Sequence, residues 1–174
     1  SMREKYCSGV IPAAASKDEF DADLEKIALE AADKVNAQME KFSFSNALEE
    51  VWVLVRRANK YVDEKMPWVL AKDESQVDSL NTCMHHLAEA LRVVSILIYP
   101  FMHSTTMKVR EQIGIDGDIV WEDAYRFDMM AGLQVRKGDA IFPRLDIEKE
   151  LAELEALKPA PAETEEKLEL KPEI

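Results

Sequence analysis

The sequence has few glycines, few cysteines and no long hydrophobic run, and these shortages exclude several classes of protein. Only 5 of the 174 residues are glycine, whereas 47% are apolar and 32% are charged, which is the composition of a soluble, helix-rich domain. The two cysteines, Cys7 and Cys83, are too few for a disulfide framework, so we expect free thiols and a cytoplasmic location. No apolar stretch reaches the ~20 residues that a membrane span requires, and we expect neither a signal peptide nor a membrane partner.

Catalytic and metal-binding signatures are also missing. No glycine-rich phosphate loop follows a strand, and no Gly-x-Ser-x-Gly motif is present. His85 and His86 are adjacent, and neighbouring helical positions point about 100° apart, so they cannot hold one metal ion together. Cys83 and His86 share a helical face, which we interpret as a surface histidine beside a core cysteine. The many carboxylates are expected to form the solvated faces of helices, and no pair is marked as buried. The sequence therefore predicts no catalytic residue and no metal.

The overall charge argues against a nucleic-acid partner, but its distribution weakens that argument. The formal net charge is -12, and affinity for nucleic acid depends largely on Lys and Arg that neutralise phosphates. Residues 145–174 contain ten acidic and four basic side chains, so this tail carries half of the excess. We expect the residues after about Lys158 to be mobile, because Pro, Ala and Glu bury too little apolar surface to become ordered.

Hydrophobic periodicity predicts three long amphipathic helices. The first follows a capping box formed by Ser16 and Glu19, and its apolar stripe extends to Phe42. The second ends before Pro67, which should push Met66 toward an extended conformation. The predicted helices cover about 16–42, 43–66 and 75–99.

The remainder of the chain is less regular. A shorter helix is predicted from about Ser104 to Gly114, and beyond it the periodicity fails. Short connections and the lack of an alternating strand pattern predict an all-α, antiparallel helix bundle covered by an irregular C-terminal segment. We assign residues 1–146 to this bundle with its wrap-back segment, and residues 147–174 to a charged helix and an acidic linker. Residues 1–6 are predicted to be the end of a helix that begins upstream.

One basic stretch stands out in this acidic chain. Residues 56–72 contain five basic and only two acidic side chains, and Trp68 directly follows Pro67 at the predicted helix break. A positive surface beside an available ring is typical of proteins that bind unpaired nucleotides, because cations meet phosphates while a base stacks on the ring. The alternative is that Trp68 plugs the end of the bundle and the cations are merely solvated. The residues alone leave both interpretations open.

The same stretch resembles a known family. The sequence of residues 58–64, Ala-Asn-Lys-Tyr-Val-Asp-Glu, followed by Pro-Trp-Val-Leu-Ala-Lys at residues 67–72, is similar to the anticodon-domain signature of bacterial methionyl-tRNA synthetases. The Pro-Trp element is shared more loosely with the class I enzymes for Leu, Ile and Val. Further similarity lies at residues 2–7, 10–12, 99–102 and 141–146, so the resemblance covers nearly all of residues 1–146.

The resemblance implies a helical domain that receives the CAU anticodon. Its partners would be the anticodon loop of methionine tRNA and the catalytic domain of the same polypeptide, with no DNA and no membrane. In the family, the Trp of the Pro-Trp element holds anticodon bases, and an Asn and an Arg that recognise the first base would lie upstream of Ser1. The residues that we assign to anticodon binding are Trp68, Pro67, Asn59, Arg56, Lys60 and Lys72.

The resemblance also implies what this chain lacks. The ATP-binding motifs and the zinc-binding insert of the family belong to the catalytic half, so the chain itself is expected to be non-catalytic and to hold no cofactor. The whole enzyme, a class I methionine-tRNA ligase, would use ATP with magnesium, and the family allows a structural zinc. The acidic linker resembles the one that precedes an appended tRNA-binding domain. The alternative function is a helical protein-protein interaction module without an RNA role.

Overall fold

The computed structural model describes residues 9–144 and 146–157, and within these ranges the regular structure is helical, as predicted. The predictions for residues 1–6, for Cys7 and for the tail after Lys158 lie outside the described residues. No helix in the described part is long and apolar enough to cross a membrane. The helices are α1 (Glu19–Met39), α2 (Phe44–Lys65), α3 (Pro67–Leu70), α4 (Val77–Leu97), α5 (His103–Gln112) and α6 (Ile147–Ala156), with 3-10 turns at Glu74–Gln76 and Trp121–Tyr125.

The N-cap of the first helix lies two residues later than predicted. Asp18, and not Ser16, accepts hydrogen bonds from the backbone N–H groups of Phe20 and Asp21. The Asp21 side chain completes the capping box by accepting from the Asp18 N–H at 2.8 Å. Ser16 is engaged elsewhere, since its N–H donates to the Thr82 hydroxyl of α4 at 3.0 Å. The capping box predicted at Ser16 and Glu19 is therefore wrong, and Asp18 with Asp21 forms the box instead.

The core lies between α1, α2 and α4. Polar contacts join the start of α1 to the end of α2, which shows that these two helices are antiparallel. Three alanines of α1 are almost fully buried, and such small side chains let the neighbouring helices approach closely. Phe42 was predicted on the apolar stripe, but it follows α1 with φ of 55° and is 80% exposed. The principal core residues are Leu24, Ala28, Ala31, Ala32, Val35, Val51, Leu54, Val93, Ile96 and Leu97.

The turn between α2 and α3 departs from the predicted extended conformation. Met66 has φ of 44° and ψ of 63°, which is the left-handed region. This residue ends α2, because its N–H donates to the Val62 carbonyl at 3.0 Å. It also starts α3, because its carbonyl accepts from the Leu70 N–H at 3.2 Å. A left-handed residue is a common way to end a helix, and here it allows one residue to serve both helices.

An irregular segment covers one side of the bundle, as predicted, and two buried charged residues of α4 hold it there. We call residues 115–138 the covering segment. The Glu89 carboxylate accepts the backbone N–H groups of Met129 and Met130, the latter at 2.6 Å. Arg92 donates to the carbonyl oxygens of Asp123 and Arg126 and also pairs with Glu89 at 2.8 Å. The expectation that the carboxylates are solvated is therefore wrong for Glu89, which is fully buried.

The adjacent histidines of α4 are also buried, which corrects the interpretation of His86 as a surface residue. His86 lies between the rings of Tyr61 and Phe127, and burial lowers its pKa. Its Nδ1 lies 3.0 Å from the Thr82 carbonyl oxygen. Cys83 is a free thiol in the core, as predicted, and burial raises its pKa to about 12.

The described chain divides into two compact units, which join between Ile141 and Phe142. The second unit contains α6, whose first turn is capped by the Asp146 side chain through the N–H groups of Glu148 and Lys149. Every described residue of α6 is exposed, including Leu151 and Leu154. The predicted charged helix is thus present, whereas the predicted domain boundary at Asp146 stays a prediction.

Candidate nucleic-acid interface

Trp68 lies on the surface at the turn where α2 passes into α3. Trp68 is 42% exposed, so part of its surface is open to solvent. Pro67 is buried and occupies the first position of α3, where its fixed φ suits a helix start. Pro67 therefore shapes the turn and leaves little surface for a ligand. Lys72, just beyond α3, is exposed on the same short stretch of chain.

The five cations of the basic stretch divide into two groups. Arg57 and Lys65 are buried in ion pairs with the beginning of α1. Arg56, Lys60 and Lys72 are exposed. Arg56 lies 3.5 Å from Glu49 and Lys60 lies 3.4 Å from Glu64, but exposed pairs of this kind are weak and leave the cations free to meet a phosphate.

The buried cations belong to a polar cluster at the end of α2. The Tyr61 hydroxyl donates to Asp21 at 2.5 Å, and the Lys65 ammonium lies 2.7 Å from Asp18 and 3.1 Å from Asp21. Burial and the neighbouring carboxylates raise the pKa of Tyr61, which stays protonated. Burial alone would lower the pKa of Lys65, but its hydrogen bonds to the two carboxylates raise it. Asp21 is the second carboxylate that sequence reasoning wrongly left in solvent.

An apolar groove of about 580 Å³ runs between α2 and α4. Asn59 is exposed at its edge, one turn from Arg56 and next to Lys60. At about 1.5 Å per residue, Lys60 lies roughly 8 Å and Arg56 roughly 14 Å before the end of α2. The predicted site residues thus form two groups, Pro67, Trp68 and Lys72 at α3, and Arg56, Asn59 and Lys60 along α2. The groove is lined by residues that include Val55, Asn59, Val62, Leu87, Leu91 and Arg136.

Comparison with known families identifies the domain. Residues 11–156 match the family described as the anticodon binding domain of methionyl tRNA ligase. The chain belongs to this family. The match includes α1 to α5, the covering segment and α6, so the two groups of predicted site residues both lie within an anticodon-binding domain of this type.

Relatives with the same domain are methionine–tRNA ligases. The enzyme of Caldanaerobacter subterraneus subsp. tengcongensis is 50% identical over 156 residues, which are 89% of this chain and 24% of the relative. That of Clostridium tetani is 43% identical over 159 residues, 91% of this chain and 25% of the relative. The apo crystal structure of Mycobacterium tuberculosis methionyl-tRNA synthetase is similar with a TM-score of 0.78 and 26% identity, over 84% of this chain and 30% of that chain. The chain spans about a quarter of the length of the curated relatives it matches.

Sequence reasoning missed two features of the surface of this anticodon-binding domain. Trp52 is 44% exposed, one turn before Arg56 on α2. The signal was available, because Trp52 follows Val51, which is on the buried stripe, so a large ring at the next position must point away from the core. Lys137 of the covering segment adds an exposed cation to the groove. No sequence pattern could place it there, since it comes from an irregular segment distant in the chain.

Proposed function

We propose that this anticodon-binding domain recognises the anticodon loop of methionine tRNA with the surface formed by α3 and the exposed face of α2. The observation that carries the proposal is Trp68, a half-exposed tryptophan at a helix turn, four residues before the exposed Lys72. In a chain that belongs to this family, such a ring is suited to stack on an unpaired base. Stacking of one base on an aromatic side chain contributes ~1–3 kcal/mol.

The two groups of site residues would have different roles. Arg56, Lys60 and Lys72 carry mobile positive charges that suit phosphates. Asn59 has an amide that can donate to and accept from a base edge, which is the type of contact that confers sequence preference. With a net charge of -12, we expect the isolated chain to bind RNA only weakly. The chemistry of aminoacylation, with ATP and magnesium and any structural zinc, would belong to the catalytic domain of the same polypeptide.

The decisive experiment replaces Trp68 by Ala in the full-length enzyme. The expected result is a fall of about 5-fold to 150-fold in kcat/KM for tRNA, which corresponds to the loss of ~1–3 kcal/mol of stacking. ATP-dependent activation of methionine should be unchanged, because the ring would touch the anticodon and not the adenylate site. Phe44→Ala is the matched control, since Phe44 is an exposed ring at the opposite end of α2.

Two outcomes would contradict the proposal, and thermal unfolding of each variant is measured alongside its activity. If Trp68→Ala lowers methionine activation in parallel, or if the variant unfolds, Trp68 acts in the fold and not in RNA binding. If Phe44→Ala lowers kcat/KM for tRNA as much as Trp68→Ala does, the loss is not specific to the α3 surface.

The alternative function, a helical protein-protein interaction module, is favoured by one observation. The groove between α2 and α4 is mainly apolar, and such a groove suits a partner helix. Replacing Leu91 on its wall by Glu should leave tRNA aminoacylation unchanged if the groove serves only protein contacts. An RNA role for the α3 surface is tested independently by Trp68.

A further inference from the structure

We propose that Asp18, Asp21, Tyr61 and Lys65 form a positioning cluster that fixes the Trp68 ring for RNA binding. This inference rests on the proposed function of Trp68 and assigns a task to residues that would not themselves touch the RNA. The four side chains lie at the junction between the start of α1 and the end of α2. We refer to them below as the positioning cluster.

The contacts of the positioning cluster are short and mutually dependent. The Asp21 carboxylate receives the Tyr61 hydroxyl at 2.5 Å, the Lys65 ammonium at 3.1 Å and the Asp18 N–H at 2.8 Å. Lys65 also reaches Asp18 at 2.7 Å. Asp21 and Tyr61 are fully buried. Removing one partner would therefore leave another polar group without a hydrogen bond inside the protein.

The cluster is attached to a fixed part of the bundle. The segment that leads into α1 is bound to α4, because the N–H groups of Ala15 and Ser16 both donate to the Thr82 hydroxyl at 3.0 Å. The capping box of Asp18 and Asp21 then sets the first turn of α1. Lys65 therefore ties the last residue of α2 to a point that is itself fixed relative to α1 and α4.

Only two residues separate Lys65 from Trp68, and the backbone conformation of each is restricted. Lys65 is followed at once by Met66, whose φ of 44° is rarely adopted by a residue with a side chain. Pro67 comes next, with a buried ring and a fixed φ. A strained residue keeps its conformation only when its surroundings determine it. The anchored Lys65 on one side and the buried Pro67 on the other provide that restraint.

The cluster is distinct from the RNA-facing charges. The Lys65 side chain is buried and faces α1, whereas Arg56 and Lys60 of the same helix are exposed. Its hydrogen bonds to the carboxylates hold the pKa of Lys65 above its usual value, so the ammonium stays charged at neutral pH. Replacing Lys65 therefore tests the placement of the ring and does not remove a phosphate contact.

The test compares two double variants that leave the net charge unchanged. Asp21→Asn with Lys65→Met removes the buried ion pair of the positioning cluster. Glu30→Gln with Lys34→Met removes an exposed ion pair of α1, whose atoms are 2.9 Å apart. Lys34 lies 13 positions after Asp21, which is about 20 Å further along the helix at ~1.5 Å per residue. Tyr61→Phe, which removes a single hydroxyl, is the milder variant if the first double variant does not fold.

Two measurements are made on the 174-residue chain. The first is fluorine NMR of protein labelled with 5-fluorotryptophan, in which the Trp68 resonance is assigned with Trp68→Phe. The second is a titration with a CAU anticodon stem-loop at fixed low salt, for each variant with and without Trp68→Ala. Thermal unfolding of every variant shows that it is folded under the conditions of the titration.

We expect the cluster variants to shift or broaden the Trp68 resonance and to weaken stem-loop binding at least about 5-fold, the lower end of the range for a lost stack. The control pair should change binding less than twofold. When Trp68 is already replaced by Ala, the cluster variants should weaken stem-loop binding by less than a further twofold, because the ring that the cluster positions is absent.

Different failures lead to different conclusions. If Trp68→Ala weakens binding but the folded cluster variants bind like the original chain and keep the Trp68 resonance, positioning is wrong and the proposed function stands. If Trp68→Ala leaves binding unchanged, the proposed function fails, and with it the RNA role of the cluster. If the cluster variants weaken binding equally with and without Trp68, their effect does not pass through the ring and positioning is again wrong.

Discussion

Glu89→Gln tests how the covering segment is held on the bundle. In the structure, one carboxylate oxygen of Glu89 accepts the backbone N–H groups of Met129 and Met130, and the other accepts from Arg92 at 2.8 Å. An amide has one oxygen and one NH₂ group. Whichever way Gln is oriented, its NH₂ group would face a donor, either the guanidinium of Arg92 or the two backbone N–H groups.

The expected cost follows from this conflict. A buried polar group that loses its hydrogen bond costs about 1–3 kcal/mol, and breaking a buried ion pair by removing one charge costs about 3–5 kcal/mol. Glu89 and Arg92 are both buried, so little solvent screening is available. We therefore expect Glu89→Gln to lower the free energy of unfolding by about 3–5 kcal/mol, a large share of the ~5–15 kcal/mol that is typical of a domain.

Urea unfolding followed by circular dichroism measures this loss. Glu49→Gln is the control, because it also removes a carboxylate from an arginine, but the pair of Glu49 and Arg56 is exposed and 3.5 Å apart. That change should cost less than about 1 kcal/mol. Hydrogen exchange at the amides of Met129 and Met130 should accelerate only in Glu89→Gln. If the two variants are equally stable, the Glu89 carboxylate does not anchor the segment.

Two further predictions concern a glycine and a histidine. Gly114→Ala should lower the free energy of unfolding clearly more than Gly117→Ala. Both residues have positive φ, but a Cβ at Gly114 would lie 2.2 Å from the Gln134 carbonyl oxygen, whereas nothing lies within 4 Å of a Cβ at Gly117. Equal losses of stability in urea unfolding would exclude the clash as the cause. Burial lowers the pKa of His86 in the folded chain. As the pH falls, His86 is therefore protonated at a higher pH in the unfolded chain than in the folded one. The free energy of unfolding should consequently decrease below about pH 6.5, by at most ~1.4 kcal/mol per pH unit. His86→Gln should reduce that slope, and an unchanged slope would assign the acid sensitivity to other groups.

The long helices could be predicted because their apolar residues recur with the helical period. The predictions of the α1 cap and of the Met66 conformation were wrong because both depend on contacts that a periodic pattern does not encode. The cap was predicted at Ser16, but Asp18 caps α1, and Ser16 is instead bound to Thr82 of a helix more than sixty residues away. Met66 is left-handed because it ends one helix and starts the next, which the rule for a residue before proline does not consider.

The candidate site was only partly accessible from the sequence. Trp68 could be placed at a helix break by Pro67, but the sequence left open whether its ring is available or plugs the end of the bundle. The count of five cations, however, overestimated the basic surface, because Arg57 and Lys65 are buried against α1. Likewise, Asp21 and Glu89 look like ordinary solvated carboxylates of a helix, since their partners come from other elements. Pairing across elements is decided by packing, and local spacing does not encode it.

The basic stretch contains both buried and exposed cations because a helix separates neighbouring residues by about 100°. Arg57, Tyr61 and Lys65 recur every four positions and face α1, where they hold the end of α2. Arg56 and Lys60 precede them by one position each and face solvent. Exposed and buried cations therefore alternate along one run of sequence. A net charge, or even a local count of cations, cannot separate the buried cations from the exposed ones, whereas the register of α2 does.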